Sequence, residues 1–329
     1  MTRHLSVHVT RGGLLESSHR IQAIFLDQNQ KTIFNQDSQR KIFPRSAIKI
    51  LQAIPFLQSN ALHQFNLGAQ EVCLACASHD GESIHIDVAQ SWLKKIKKKD
   101  EVLLCGHHRP MGDDSSSVIR RLIKKQSPLL NNCSGKHLGM ISRCLVDGLN
   151  IKNYLEFDHN HQLQILSIME EFFEEKIRNL TRDGCHAPMF AISLKSLALA
   201  ALKISNHHSL IPQYSNSITL ALDSIQQYPL LTAGYNQFDS NLIKVTKGRL
   251  YFKRGAEGIG FIVDRQKKIG GAIKIEDGNM RALPLATLAI LKQLKLIKKN
   301  ELNLLQKWMR VPILNCNQFE VGAIIAPQH

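Results

Sequence analysis

Ser46 and Lys49 combine a hydroxyl and an amine three residues apart, a spacing that could support nucleophilic chemistry. The surrounding stretch, FPRSAIKIL (residues 43–51), predicts a helix with Pro44 in its first turn and an end at Pro55. Side chains at i and i+3 are neighbours on a helix, so Lys49 could act as a base toward the Ser46 hydroxyl if a dry pocket removes its proton. The alternative is a capped surface helix with a solvated lysine.

A second lysine, Lys253, ends a predicted strand at the start of KRGAEG (residues 253–258). Serine hydrolases with the penicillin-binding-protein fold place an S-x-x-K helix beside such a strand lysine. The strand lysine can hold a substrate carboxylate, and its charge favours proton loss from the helix lysine. The alternative is a hairpin turn with a solvated lysine. Lys274, in KIEDG (residues 274–278), could lie in a similar turn, and we give it only a supporting role in the site.

Ser78 lies in the functional-group-rich loop CASHDGE (residues 76–82) and could relay protons or serve as a second nucleophile. The alternative is a turn that ends a strand and is capped by a serine or aspartate. Cys73 and Cys76 form a C-x-x-C pair, but in a strand their side chains would point to opposite faces. That placement argues against a metal site built on these two cysteines.

Two other loops set a thiol near a glycine, which we expect to permit a tight turn. They are CSGKH, with Cys133, and DGCHAP, with Cys185. Two thiolates and a nitrogen donor would suit zinc, although the spacing is too long for a zinc finger. The alternative is a pair of buried cysteines.

Three histidine pairs also suggest metal binding. We expect the His159/His161 and His207/His208 pairs to be surface residues of polar loops. His107, beside His108, could line the pocket.

The chain has 329 residues, of which 43% are hydrophobic and 21% charged, as in an ordinary globular protein. Its 42 Lys and Arg residues exceed its 27 Asp and Glu residues, which gives a net charge of +15. These cations are scattered along the chain, aromatic residues make up 6%, and we recognise no nucleic-acid-binding motif. We therefore interpret the excess as solvated surface with a mild bias toward anionic substrates, and expect no nucleic-acid partner.

The seven cysteines are an odd number without the spacing of a secreted disulfide framework, which indicates a reducing cytoplasm. The N-terminal stretch alternates polar and apolar residues and lacks the apolar core of a signal peptide. No run approaches the roughly 20 apolar residues that cross a bilayer. We expect a cytoplasmic protein without membrane contact.

The element order predicts an α+β fold in which N- and C-terminal strands form one antiparallel sheet around an inserted helical lobe. We predict strands at 5–10, 20–26 and 31–35, a strand block within 243–275, and a last strand at 321–326. The chain is predicted to be a single domain, 1–329, with a sheet lobe of about 1–75 and 240–329 and a helical lobe of about 80–235.

Helices are predicted where apolar residues recur at helical spacing. One amphipathic helix ends in the lysine run 94–99, which suits a helix C-terminus, and another spans 193–204. Two more lie between Pro284 and Trp308. One further helix should bury a single apolar face, formed by Leu163, Leu166, Met169, Phe172 and Phe173. Residues 106–137 are predicted to be mostly loop.

Seven blocks, in one order over nearly the whole length, resemble the asparaginase family first described from rhizobia. This family is distinct from the threonine-dependent bacterial asparaginases and resembles serine β-lactamases and glutaminases in fold. The blocks are RGGLLESSH (11–19), FPRSAIKIL (43–51), CASHDGE (76–82), NCSGKHLGM (132–140), DGCHAP (183–188), KRGAEG (253–258) and KIEDG (274–278).

The resemblance implies hydrolysis of L-asparagine to L-aspartate and ammonia, with glutamine a poor substrate or none. We expect the reaction to pass through an acyl-enzyme. It makes Ser46 with Lys49 one catalytic pair and Ser78 with Lys253 the other. We assign Arg45 to substrate binding. A homodimer is also implied.

The resemblance further implies a zinc ion, with little effect on turnover, held by Cys133, Lys136 and Cys185. His137 and Asp183 would lie close to the metal or the substrate. The chain departs from the family at His186, where a smaller residue, often glycine, is expected, and in the 106–110 loop. These departures bear on pocket shape and substrate preference.

Three rival functions stay open. One is a glutaminase or another amidase on the same scaffold, and a second is a non-catalytic protein that binds amino acids or wall peptides. The third is a basic nucleic-acid-binding protein.

Overall fold

The structure, a computed structural model, describes residues 5–112 and 116–326. Its strands are β1 Ser6–Arg11, β2 Leu14–Leu26, β3 Thr32–Gln36, β4 Lys41–Ile42, β5 Leu180–Arg182, β6 Pro188–Phe190, β7 Ile192–Ser193, β8 Leu250–Gly255, β9 Ile259–Asp264, β10 Ile269–Ile275, β11 Arg310–Leu314 and β12 Glu320–Ile325.

Its α-helices are α1 Lys49–Gln52, α2 Ile54–Gln58, α3 Ala61–Gln64, α4 Ala69–Ala75, α5 Ser83–Lys95, α6 Ser117–Lys124, α7 Ser134–Val146, α8 Asn160–Phe173, α9 Leu194–Ser205, α10 His207–Leu210, α11 Ser215–Gln227, α12 Phe238–Val245, α13 Leu283–Gln293 and α14 Lys299–Leu304. Short 3₁₀ turns connect several of them, among which Arg45–Ile48 runs directly into α1.

Eight strands form one antiparallel sheet in the order β11-β12-β1-β2-β10-β9-β8, with β3 beside β2. Strand β1 pairs with β12 in the register His8↔Ile325, so the first and last strands meet. This pairing, with most helices in the intervening sequence, confirms the predicted α+β fold class. The hairpin predicted around residues 27–30 is also confirmed, because β2 pairs with β3.

The chain divides into two compact units. The sheet unit contains residues 5–47, Ile192–Asn206 and 245–326. The helical unit contains the described residues of Ile48–Ala191 and His207–Lys244. In the helical unit, α4 packs against α5, α7 and α11.

In the sheet unit, α9 packs on β10, β9 and β2. Gly270 makes this close approach possible, because a Cβ atom there would lie 2.0 Å from the Leu202 nitrogen and 2.6 Å from the Ala198 oxygen. The apolar half of β2, from Ile21 to Leu26, lies in the same core. The small residues of α9 and the glycine of β10 therefore set the distance between helix and sheet.

Two predictions about local structure, on Cys73 and Cys76 and on Pro55, are wrong. Cys73 and Cys76 belong to the end of helix α4 and not to a strand, because the small and apolar residues of this stretch pack against other helices. The segment 106–137 lies mostly outside α-helices, as predicted, although it holds α6 and the first turn of α7. Residues 113–115 of that segment lie outside the described residues.

Pro55 does not end the Ser46 helix: a new helix, α2, starts at Ile54 with Pro55 in its first turn, where its missing N–H costs nothing. Of the five residues predicted to bury one face of α8, Met169, Phe172 and Phe173 are buried as predicted, whereas Leu163 is 47% exposed and Leu166 is half-buried. Ile165 and Ile168 complete the buried face.

Strand β11 was not predicted. Its Pro312 argues against a strand, yet β11 is an edge strand, where a missing backbone N–H is tolerated. The predicted strands 5–10 and 321–326 and helix 193–204 are confirmed within one or two residues. Within the described residues, no helix combines the length and apolar character that crossing a membrane requires.

We expect Gly270→Ala to lower the free energy of unfolding by about 3 kcal/mol or more, because the added methyl group overlaps the α9 backbone. Urea unfolding followed by circular dichroism measures the change. Gly184→Ala is the matched control, since its Cβ would meet no heavy atom within 4 Å. Equal midpoints for the two variants would contradict this account of the α9–β10 packing.

Candidate active site

Lys49, at the start of α1, has a fully buried side chain whose amine is held by backbone carbonyls. Its Nζ donates to Ala77 O at 2.5 Å and to Asn132 O at 3.1 Å. Among the described residues, no carboxylate forms an ion pair with Lys49. The amine therefore joins α1 to the α4–α5 loop and to the segment that precedes α7.

Ser78 lies in this α4–α5 loop and is 4% exposed. Its backbone N–H donates to Thr232 O at 3.0 Å, and the next N–H, of His79, donates to Asn132 O at 3.3 Å. These bonds hold the loop on two sides. The Ser78 Oγ atom is buried and has no hydrogen-bond partner within the described part of the chain. A buried hydroxyl without a partner is costly, so this atom is a candidate to meet a substrate.

His79 is completely buried and fixes the hydroxyl of Ser134 at the start of α7. Its Nδ1 accepts from the Gly81 N–H at 3.2 Å, so its Nε2–H donates to Ser134 Oγ at 2.8 Å. Burial, and after it the neighbouring His85, lower the pKa of His79 well below its ordinary value. The His85 ring stacks on His79 with centroids 5.0 Å apart. His79 is thus a neutral donor with one fixed tautomer.

His137, on α7, is a second buried neutral histidine. Its Nδ1 lies 2.6 Å from Tyr154 Oη, which in turn accepts from the Leu104 N–H at 3.0 Å. Burial, and after it the charge of Lys136, lower the pKa of His137 well below its ordinary value. The tyrosine hydroxyl therefore donates to Nδ1, and the proton of His137 lies on Nε2. Nε2 is buried without a partner among the residues described.

The three residues predicted to bind zinc, Cys133, Lys136 and Cys185, are all buried within the helical unit. Lys136 Nζ donates to Cys185 Sγ at 3.1 Å. A hydrogen bond from the Cys133 thiol, and also the charge of Lys136, lower the pKa of Cys185 well below its ordinary value despite burial. The same hydrogen bond and burial raise the pKa of Cys133 to about 12. The group therefore consists of a thiolate, a thiol and an ammonium group.

This donor set is chemically suited to zinc, which accepts sulphur and nitrogen ligands once they have lost their protons. It contains only two side chains of the usual metal-binding types. Elsewhere among residues 5–112 and 116–326, no group of three or more His, Cys, Asp or Glu side chains could hold a metal ion.

The turn between β5 and β6 carries Asp183 and Cys185. Asp183 is half-buried, and its Oδ1 accepts from the Gly184 N–H at 2.8 Å. His186 has a φ of +68°, in the left-handed region that favours glycine. This conformation is a physical reason for the glycine expected there from the resemblance.

The glycines of the two thiol motifs do not both make turns as expected. Gly135 lies inside α7, where a Cβ atom would stand 2.2 Å from Leu74 O, so it allows α7 to pack closely on α4. The prediction of a tight turn at Gly135 is wrong, because the motif starts a helix.

Ser46 belongs to the sheet unit, on the 3₁₀ turn that precedes α1, and is half-buried. The residue before it, Arg45, has a φ of +51°, a conformation that costs a side-chain-bearing residue roughly 1–2 kcal/mol. Strained backbone of this kind is concentrated at functional turns. The Ala47 N–H closes the turn by donating to Pro44 O at 3.1 Å.

Lys253 lies on β8 in the same unit and is completely buried, with its Nζ 3.2 Å from Arg254 O. At the end of β8, a Cβ on Gly255 would lie 2.5 Å from Pro44 O and 3.3 Å from the Ala47 nitrogen. The end of the Lys253 strand therefore lies directly against the Ser46 turn. Within the sheet unit, the structure brings these two motifs together.

Lys274 supports this region from β10. Its Nζ donates to Glu257 O at 2.6 Å and to Ile275 O at 2.5 Å, and burial lowers its pKa. It thereby satisfies a carbonyl of the KRGAEG turn. Lys274 therefore supports the KRGAEG turn through hydrogen bonds to backbone carbonyls.

The histidine predictions need correction. His161 and His207 are buried, at 0% and 7% exposure, and so is His159, whose Nδ1 accepts from the His161 N–H at the start of α8. These three side chains pack inside the protein or hydrogen-bond at helix ends, and only His208 of the two pairs is exposed.

His107 is exposed, and its neighbour His108 contacts the site segment: its Nε2 accepts from the Asn132 N–H at 2.9 Å. Sequence reasoning also missed Asn132, His79 and Tyr154 as individual residues. The first two stand inside motif blocks that the sequence made visible, whereas no pattern marked Tyr154.

The sequence profile of the L-asparaginase II family matches residues 7–326. No curated protein sequence matches the chain significantly. Among solved structures, a protein assigned as a β-lactamase from Bacteroides dorei DSM 17855 is 10% identical, covering 77% of this chain and 84% of its own, with a TM-score of 0.41. A Bacillus subtilis glutaminase in covalent complex with 5-oxo-L-norleucine is 13% identical over 84% of this chain and 87% of its own, with a TM-score of 0.38.

We expect folding stability to fall as the pH is lowered from 6.5 to 4, in part because of His85. Burial lowers the pKa of His85 to about 4 in the folded protein, from an ordinary value of 6.5. Between these values the unfolded chain binds the extra proton, so this residue contributes a slope of up to about 1.4 kcal/mol per pH unit.

His85→Gln should therefore flatten the dependence of the urea midpoint on pH over this interval. His63→Gln, at an exposed histidine of α3, is the control and should leave the slope unchanged. An unchanged slope in His85→Gln would show that this histidine is not kept neutral by burial.

Proposed function

Since the chain belongs to the L-asparaginase II family, and with it to the amidohydrolases, we propose that it hydrolyses the side-chain amide of L-asparagine to L-aspartate and ammonia. The proposed reaction uses Ser46 as nucleophile, Lys49 as its base, Ser78 as proton relay and Lys253 as the group that holds the substrate carboxylate.

The observation that carries this proposal is the environment of the Lys49 amine. The amine is fully buried, and among the described residues no carboxylate forms an ion pair with it, which is the dry pocket that a lysine base needs. A neutral amine has two N–H bonds, and Lys49 has two carbonyl acceptors, Ala77 O and Asn132 O. Its lone pair is then left to accept a proton from the hydroxyl three residues earlier.

The first step transfers the Ser46 proton to Lys49 while Oγ attacks the carboxamide carbon. We assign the oxyanion to backbone amides at Ser46 or in the 253–256 segment, since the Ala47 N–H is already engaged with Pro44 O. The C–N bond then breaks, and the leaving amide nitrogen takes a proton from Lys49 or through Ser78 to leave as ammonia. Water attacks the resulting ester, releases aspartate and restores the Ser46 hydroxyl.

Two polar atoms of the helical unit support a role in substrate binding. The Ser78 hydroxyl and the Nε2–H of His137 are buried, and both lack partners within the described residues. A polar amino-acid substrate would supply the missing hydrogen bonds. We further assign Asp183 and Arg45 to substrate binding; both carry charges that an amino-acid zwitterion could use.

We also propose that Cys133, Lys136 and Cys185 hold a zinc ion. When bound, zinc would supply a positive centre that positions substrate. The three side chains must release their protons to bind it, so metal uptake should weaken at low pH. No catalytic step of the proposed reaction depends on this ion.

A reducing, cytoplasmic location and a homodimeric state complete the proposal. All seven cysteines are free, and six of them are buried, which supports a reducing compartment. The homodimer rests on the family resemblance.

We expect Ser46→Ala to lower kcat for asparagine by several powers of ten with the fold intact, because the nucleophile is removed. Ammonia release is measured with asparagine and glutamine as parallel substrates. Ser224→Ala, at a buried serine of α11, is the matched control and should keep its activity.

Mass spectrometry of acid-quenched wild-type protein should locate the acyl group on the peptide that contains Ser46. Near-normal turnover of Ser46→Ala, or acylation of Ser78, would remove Ser46 from the nucleophile role. Faster ammonia release from glutamine would indicate a glutaminase, and binding heat without ammonia would indicate a non-catalytic binding protein.

Purified protein is expected to contain about one zinc ion per chain by elemental analysis, as a three-ligand protein site with an open position would hold. Cys133→Ala should lose the metal, because a thiolate ligand is removed. Cys144→Ala, at another buried cysteine of α7, should retain it. Zinc-free wild-type protein, or equal zinc in both variants, would refute the site.

A further inference from the structure

One end of the sheet unit gathers eight of the chain's 42 Lys and Arg residues. Three segments meet there: the start of β8, the β9–β10 turn and the chain that follows α13. The Arg265 N–H donates to Arg249 O at 3.0 Å, and Lys267 Nζ donates to Lys295 O at 2.7 Å. We call this surface the basic end, and its cations are Lys247, Arg265, Lys267, Lys268, Lys292, Lys295, Lys298 and Lys299.

All seven lysines of the basic end are exposed, and Arg265 is half-buried. The acidic residues of these segments, Asp264 and Glu301, are buried at 0% and 7% exposure. Both pair with the guanidinium of Arg249, which also donates to Leu296 O. Two buried carboxylates and one arginine leave a single negative charge beneath the seven exposed lysines. The adjacent β2–β3 turn adds Lys31 and Asp27, which cancel.

Three lysines of the basic end have a backbone conformation that is unfavourable for residues with a side chain. Lys247, Lys268 and Lys295 have φ values of 50°, 52° and 53°, in the left-handed region that glycine occupies at little cost. The dipole of α13 favours cations near its C-terminus, which accounts for Lys292 and Lys295. It does not account for lysines at the other turns.

We propose that the basic end binds the phosphate backbone of double-stranded nucleic acid without sequence preference. Clustered lysines neutralise phosphates and release counterions, which is the source of such binding. Residues 247–249, 264–268 and 292–299 contain no Phe, Tyr or Trp, so they have no stacking platform for single-stranded bases. Leu296 and Ile297 are buried, so these segments offer little apolar surface for insertion into a lipid bilayer.

The basic end lies at the far end of β8 from the Ser46 turn. Leu250 starts the strand beside the basic end, and Gly255 ends it against Pro44 and Ala47. Five residue steps of about 3.3 Å separate the two ends by roughly 17 Å. Nucleic acid on this surface would therefore leave amide hydrolysis unaffected, and the inference is independent of the proposed function.

Fluorescence anisotropy with a labelled DNA duplex of mixed sequence tests the proposal. The variant is Lys268→Gln, Lys292→Gln, Lys298→Gln and Lys299→Gln combined, which spares the hydrogen-bonded Lys267. It should weaken duplex binding at least tenfold and reduce the slope of log affinity against log salt by about 3 to 4, at ~0.9 per lost phosphate contact.

The matched control removes the same charge from exposed lysines of the helical unit, as Lys94→Gln, Lys97→Gln, Lys124→Gln and Lys125→Gln combined. It should bind the duplex almost as wild type does. Both variants should keep wild-type circular dichroism and ammonia release. Equal weakening in both variants, stronger binding to single-stranded DNA or to phosphatidylserine vesicles, or no duplex binding by the wild type would each overturn the proposal.

Discussion

The helical unit depends on burying the amine of Lys49, with which no carboxylate of residues 5–112 and 116–326 forms an ion pair. Because a buried amine must have acceptors, the carbonyls of Ala77 and Asn132 have to meet at its Nζ atom. That requirement joins α1, the α4–α5 loop and the segment before α7. The loop in turn is tied to Thr232 by the Ser78 N–H. Two hydrogen bonds of one amine, together with the Ser78–Thr232 bond, thus hold several segments in place.

The same dry surroundings decide which groups can take up protons. His79 and His137 are neutral because burial opposes their charged forms, and each has one ring nitrogen engaged by a partner that fixes its tautomer. Neither is suited to exchange protons near neutral pH. The proposed reaction accordingly assigns its proton transfers to the Lys49 amine and to serine hydroxyls instead of to these histidines.

Charge in the sheet unit is organised by different physics at the two ends of β8. At one end, the strand that carries the buried Lys253 meets the strained turn that carries Ser46, and Lys274 Nζ donates to carbonyl oxygens. At the other end, lysines face solvent, and the buried carboxylates of Asp264 and Glu301 form ion pairs with Arg249. Hydrogen bonds to nearby backbone carbonyls compensate the buried amines at the first end. At the second end, the exposed lysines create a positive potential that attracts anions.

The sequence by itself determined the element types with strong periodicity, the pairing of the terminal strands, the family and the motif blocks that contain the site residues. These follow from local spacing and residue type, which a linear chain displays directly. Only the tertiary structure decided that Cys73 and Cys76 end a helix, that Gly135 serves close packing, and that His186 takes a left-handed conformation. It also decided that lysines far apart in sequence form one surface. Such outcomes depend on which distant segments pack together, and contacts between distant segments leave no periodic trace in the chain.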